Sequence, residues 1–233
     1  MNEAEWLACA DPEPMLAPLG DWANENQLRL IVCACYRHWR VHKSLLPPDH
    51  LTELVHEAIE HVERSCGALP PDHVRYSLRN EIRDRSGSSR LHLEQWDLKH
   101  VGIDLLMGGA TIDDTIRNLR ICRDLAAKSA TRQRAGTAYD AATRAELPGQ
   151  AAIVREIFGN PFRAVAVSPD WRTDTAVALA RQMYESRDFS PMPILADALQ
   201  DAGCDNADVL DHCRGSGPHV RGCWVVDLVC DNE

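Results

Sequence analysis

Within the last thirty residues of this 233-residue chain, five side chains able to hold a soft or borderline ion crowd together: Cys204, His212, Cys213, His219 and Cys223. They stand among Gly203, Gly215, Gly217, Pro218 and Gly222, and short glycine-rich loops let side chains from different turns converge. Zinc is the ion such a set suits, because thiolate and imidazole donors at tetrahedral corners match its preferences. The spacing Cys204-x8-Cys213-x5-His219-x3-Cys223 permits a four-ligand site. It lacks the Cys-x2-Cys knuckle of zinc-binding loops, and a packed, cysteine-containing helix junction is the competing reading. A closed set of four protein ligands implies a structural ion rather than a catalytic one.

Thiol chemistry is the other possibility these residues raise. His212 and Cys213 are neighbours, and neighbours on a helix point about 100° apart, so they cannot act as base and nucleophile. His219 could pair with Cys213 or Cys223 across the loop, with Asp227 as orienter. Further upstream, Cys33 lies one helical turn from both Arg29 and Arg37, a setting that could favour a thiolate, with an exposed and unreactive cysteine as the competing reading. Cys35, Cys66 and Cys122 fall on apolar stripes and read as small core hydrophobes. Asp197, Asp201, Asp205, Asp208 and Asp211 lack the glycine and terminal glutamate of a calcium loop and read as caps and solvated faces. The chain carries no phosphate loop, dinucleotide fingerprint, Gly-x-Ser-x-Gly elbow or His-Glu-x-x-His pair.

The elements that must position these groups read as helices. From Asn24 to about Leu46, Leu28, Ile31, Val32, Cys35 and Trp39 share one face, with Arg29, Cys33, Arg37 and Arg40 opposite, until Pro47-Pro48 stops the helix. A second helix from about Asp49 buries Leu51, Leu54, Val55, Ala58, Ile59 and Val62 and ends at Gly67. A polar surface helix, about 72–85, precedes the Ser86-Gly87-Ser88-Ser89 turn. The next segment, Arg90 to Met107, is apolar on two faces and belongs between layers. Thr111 and Asp114 form a capping-box variant at the head of a long helix. An alanine-rich connector runs to Glu146 with a kink at Gly136, and a short helix holds Ile153 and Ile157. Ser168-Pro169-Asp170 opens another helix, residues 193–202 a further one closed by Gly203, and Asp205 and Asp208 cap a short helix before Gly215. The β-branched tail 220–230 reads as helix because its neighbours are helical, and 163–167 is the one extended piece. The expected fold is therefore all-α: a multi-helix bundle of short antiparallel helices, with a minor extended segment near 163–167.

Composition sets the limits. The chain carries 25 Lys+Arg against 35 Asp+Glu, a net charge of −10, which argues against a nucleic-acid partner because phosphate binding needs a cationic face. After Leu147 the balance is 7 cations to 13 anions, and that shift divides the chain into a 1–147 helical domain and a smaller 148–233 helical domain packed on it. No apolar run is long enough to span a bilayer, and Met1-Asn2-Glu3-Ala4-Glu5-Trp6 lacks the basic-then-apolar order of a secretion leader. With nine cysteines, an odd count, the expected setting is a reducing cytoplasm rather than a disulfide framework, with no membrane partner.

Three segments carry a resemblance: Glu3-Ala4-Glu5-Trp6-Leu7-Ala8-Cys9-Ala10-Asp11-Pro12 followed by Leu28–Cys35, the middle run Arg155-Glu156-Ile157-Phe158-Gly159-Asn160-Pro161-Phe162-Arg163, and the C-terminal Pro193–Leu199, Ala202-Gly203-Cys204 and His219-Val220-Arg221-Gly222-Cys223-Trp224. These resemble a large paralogous family of uncharacterised planctomycete proteins. The resemblance covers both ends of the chain and not 45–145; it implies a bacterial cytoplasmic setting and brings no activity with it.

Three functional expectations follow. The first is a non-catalytic helical module that binds another protein, as an adaptor or regulator. The second is a helical protein whose C-terminal region is organised by zinc at Cys204, Cys213, His219 and Cys223. The third is a thiol-dependent enzyme or redox sensor using Cys33 or the C-terminal cysteines.

Overall fold

A computed structural model describes residues 1–42, 50–85 and 93–231; the Pro47-Pro48 stop, the Ser86–Ser89 turn and the Arg90–Leu91 start of the two-faced segment lie outside the described residues. The fold is all-α, with no strand among the described residues. Its helices are α1 (Glu3–Ala8), α2 (Pro12–Leu16), α3 (Glu25–His42), α4 (His50–Arg64), α5 (Asp72–Arg85), α6 (Leu93–Leu105) and α7 (Ile112–Thr131). They continue with α8 (Thr137–Ala145), α9 (Leu147–Phe158), α10 (Asp174–Ser186), α11 (Met192–Asp201), α12 (Ala207–Arg214) and α13 (Trp224–Cys230). Among the described residues no helix is long and apolar enough to cross a membrane.

The chain forms two compact units, one of Cys9–Ala151 and one joining Asn2–Ala8 to Ala152–Glu233. The boundary falls inside α9, four residues beyond the composition shift, and the N-terminal helix belongs with the C-terminal unit. The cause is Trp6, which is fully buried and donates its indole N–H to the Gly159 carbonyl at 3.1 Å. Glu3 fastens the same helix by accepting from Asn160 at 2.7 Å and pairing with Arg163 at 2.5 Å.

In the first unit α3, α4, α6 and α7 enclose the core. Asn24 and Gln27 cap α3 reciprocally, each side chain accepting from the other's backbone N–H. The α3 stripe is wider than its periodicity indicates: Arg29 and Cys33, expected on the polar side, are both buried. Arg29 is tolerated there because Glu25, the Asn26 side chain and the Gly67 carbonyl take its guanidinium. The α4 stripe is as the spacing predicts. Gly102 brings α6 close to it, since a Cβ there would stand 2.9 Å from Val55. Cys66, expected in a core, is instead half-buried, because α4 ends at residue 64 and Cys66 adopts a left-handed backbone in its terminating turn. The Thr111–Asp114 capping box at the head of α7 is present with both hydrogen bonds.

In the second unit, the 163–167 segment is irregular chain and pairs with no strand among the described residues. Ser168 caps only a one-turn 3-10 helix, and α10 begins after Thr173, whose hydroxyl accepts from Ala176. Gly203 ends α11 with positive φ, as expected, while Cys204 N–H returns to the Leu199 carbonyl at 2.9 Å. The cap of α12 is Asn206 rather than Asp205 or Asp208; Asp208 lies in the first turn, where a negative charge suits the helix dipole. Residues 224–230 are helical.

Candidate metal centre

Four side chains meet in the second unit: Glu156 from α9, His212 from α12, His219 from the 215–222 loop, and Cys223 at the cap of α13. One donor atom from each lies within 4.8 Å of every other. Glu156 is almost wholly buried and turns its two oxygens to different rings, Oε1 to His219 Nδ1 at 3.1 Å and Oε2 to His212 Nε2 at 3.3 Å. Cys223 Sγ is 3.2 Å from His212 Nε2. A tetrahedral zinc ion with ordinary Zn–N, Zn–O and Zn–S bonds has donor-to-donor edges of about 3.3–3.6 Å. The three observed separations, 3.1, 3.2 and 3.3 Å, lie at or just below the short end of that range.

Local sequence explains the convergence. Val209, Leu210 and Cys213 form the buried stripe of α12, so the helical step turns His212 off that stripe. The loop then reverses through Gly217, whose φ of +67° suits glycine and where a Cβ would stand 2.5 Å from the His219 amide nitrogen. Gly222, again at positive φ, delivers Cys223 to the head of α13. Tyr184 supports this end from α10: it accepts from the Gly222 N–H at 3.2 Å and donates to Asp227 at 2.6 Å. Asp227 thereby accepts from Tyr184, while the His219 ring faces Glu156 and the Gly215 carbonyl.

Proton placement follows from the partners. His219 faces two acceptors, Glu156 and the Gly215 carbonyl at 3.3 Å, so both ring nitrogens carry hydrogen. Burial works against that charge, but Glu156 outweighs it and holds the His219 pKa above its ordinary value. Burial likewise tends to raise Glu156, and the two histidines outweigh it, keeping its carboxyl below the ordinary range. Burial, joined by the Glu156 charge, pushes the Cys223 thiol well above 9, so without an ion it is a thiol and not a thiolate. A bound cation reverses that logic, since a coordinating thiol is deprotonated outright.

This arrangement is poorly built for nucleophilic catalysis. Cys223 is wholly buried, and His212 presents the same nitrogen to the sulfur and to the carboxylate, so no relay runs from acid through base to thiol. Cys33 is equally unsuited: burial pushes its thiol far up despite Arg37 and Arg29 nearby, which overturns the thiolate setting its spacing implies.

Of the four residues expected as ligands, His219 and Cys223 enter the group, while Cys204 and Cys213 lie outside it. Both are buried, and burial with the Glu156 charge and Cys204 raises Cys213 to about 12. Glu156 and His212 complete the group instead. His212 stands in the sequence cluster but outside the expected four-ligand set, and its step off the Val209–Cys213 stripe is the signal that marks it. Glu156 lies 56 residues before His212, and its one sequence signal is that it is the lone carboxylate of a short, mostly apolar helix. Comparison with protein-family models, curated proteins and solved structures finds no match to this chain.

Proposed function

We propose that the C-terminal unit is a metal-binding helical module in which Glu156, His212, His219 and Cys223 hold one zinc ion as a structural centre. The chain then serves as an interaction or regulatory module rather than as a catalyst. The observation that carries this reading is the mutual approach of four donors of the right chemistry within 4.8 Å. Two imidazoles, a thiol and a carboxylate are a borderline-soft set that favours zinc over calcium or magnesium.

A structural role is supported by where the donors come from. They tie α9, α12 and the cap of α13 together in a small unit, and small cores gain most from an added staple. His219 already has the outer partner that zinc-bound histidines use, because its Nε2–H donates to the Gly215 carbonyl while Nδ1 faces the centre. Three of the four donors fall inside the segments that resemble the planctomycete family: Glu156 in the middle run, His219 and Cys223 in the C-terminal one.

Elemental analysis after zinc equilibration and desalting tests this. The expected result is one zinc per chain, lost in Cys223→Ser; wild-type protein that retains no zinc overturns it.

A further inference from the structure

The zinc reading of this cluster, on which the inference rests, makes a demand on the far side of His212. Trp224 Nε1–H donates to His212 Nδ1 at 3.1 Å, and an indole nitrogen can only donate. Nδ1 therefore keeps its lone pair, and the proton of the neutral ring sits on Nε2, facing Glu156 and Cys223. Both nitrogens are engaged, so a flipped ring would forfeit all three contacts. The rings of His212 and Trp224 also meet edge-to-face with centroids 5.2 Å apart.

A zinc ion on Nε2 takes the lone pair there and leaves the single ring proton on Nδ1. Two N–H groups then face each other across the present 3.1 Å. One hydrogen bond is lost, a repulsive contact replaces it, and the indole must turn away for His212 to ligate.

We propose that Trp224 is a built-in opponent of metal binding: its indole holds His212 in the tautomer that cannot ligate, and zinc binding displaces it. The device extends beyond one side chain. The indole lies against Gly159, where a Cβ would stand 3.1 Å from it. Gly159 ends α9 with a left-handed backbone, and its carbonyl receives the Trp6 indole N–H. Turning Trp224 thus alters the surface on which the α9 terminus rests, and through that residue the hold on α1. Zinc binding is thereby linked to the anchoring of the N-terminal helix within this unit. A ligand shifts such an equilibrium by its difference in affinity for the two arrangements, and here that difference is the His212 tautomer.

The test follows the tryptophan indole N–H resonances of the full chain during zinc titration, with Trp224 assigned through Trp224→Phe. The expected result is a stoichiometric shift of the Trp224 resonance away from its hydrogen-bonded position. Trp224→Phe, which has no N–H to displace, binds zinc ~3–10-fold more tightly, the scale of one net hydrogen bond. Stoichiometric zinc binding with an unmoved Trp224 resonance overturns the inference and leaves the zinc centre standing. So does a folded Trp224→Phe protein that binds no more tightly than wild type. If circular dichroism shows that Trp224→Phe does not fold, the wild-type titration decides alone, with assignment from selective labelling. Zinc that binds neither protein overturns the centre and this inference together.

Discussion

Glu63 in the first unit and Glu156 in the second are both buried carboxylates on helices, and they are neutralised in different ways. Glu63 meets the Arg37 guanidinium at 2.6 Å. Burial alone lowers the Arg37 pKa, but Glu63 outweighs it and raises it further. Elsewhere in that unit Glu13 is gripped by Arg120 and Arg123, the latter also donating to Gln150. A guanidinium stays charged at all ordinary pH and has no lone pair to give, so such a cage can only clamp. Glu156 is instead faced by two imidazoles and a thiol, each of which has a lone pair or can shed a proton. The same electrostatic problem is met in one unit by a permanent ion pair and in the other by a set that can exchange protons for a cation.

Removing the two carboxylates separately is the strongest way to break that contrast. Glu156→Gln is expected to weaken zinc binding by ~100-fold or more, beyond the 10–100-fold typical of supporting residues. Glu63→Gln leaves zinc affinity unchanged in calorimetric titration; equal losses in both variants would end the distinction. In metal-free buffer, Glu63→Gln costs about 1.5–3 kcal/mol in denaturant unfolding, the worth of a charge-assisted hydrogen bond, tempered because Arg37 is about one-third exposed and can rehydrate.

Much of this was legible in the sequence, and the failures have physical causes. Helical periodicity and Pro/Gly punctuation located the α4 stripe, the α7 capping box and the Gly203 stop, since these depend on residues within a turn or two. The glycine-rich run marked His219 and Cys223, because loop reversal is a local property. Cys213 has ligand chemistry, but its spacing from Val209 places it on the buried α12 stripe, outside the four-donor group. Glu156 is out of reach because its partners come from α12, the 215–222 loop and the cap of α13, and no local spacing encodes that meeting. Cys33 and Arg29 were placed outside because α3 is packed around most of its circumference, and periodicity reports only its most apolar face.

Two smaller effects separate the units further. Gly217→Ala costs about 1–2 kcal/mol of stability for a left-handed non-glycine residue and also weakens zinc binding by shifting His219, measurable in parallel melts with and without zinc. The arginine clamp gives the smallest effect. Arg120 and Arg123 outweigh burial and lower the Glu13 pKa from 4.5 to about 2. A depressed carboxylate contributes stability in full above its unfolded pKa and loses it as pH falls through the folded one. The contribution of Glu13 is therefore expected to fade from about pH 5 down to about pH 2, an effect of about 1 kcal/mol because Arg120 is largely solvated. Glu13→Gln flattens that part of the acid unfolding curve; an unchanged curve contradicts the clamp.

Glu156, His212, His219 and Cys223 are proposed to form one tetrahedral, thiolate-containing metal site. Cobalt(II), a spectroscopic substitute for zinc, reports on both geometry and thiolate ligation. The expected result is stoichiometric uptake with intense visible d–d bands and a sulfur-to-cobalt charge-transfer band that vanishes in Cys223→Ser and is displaced by added zinc. A weak octahedral spectrum, indifferent to Cys223→Ser, would contradict it.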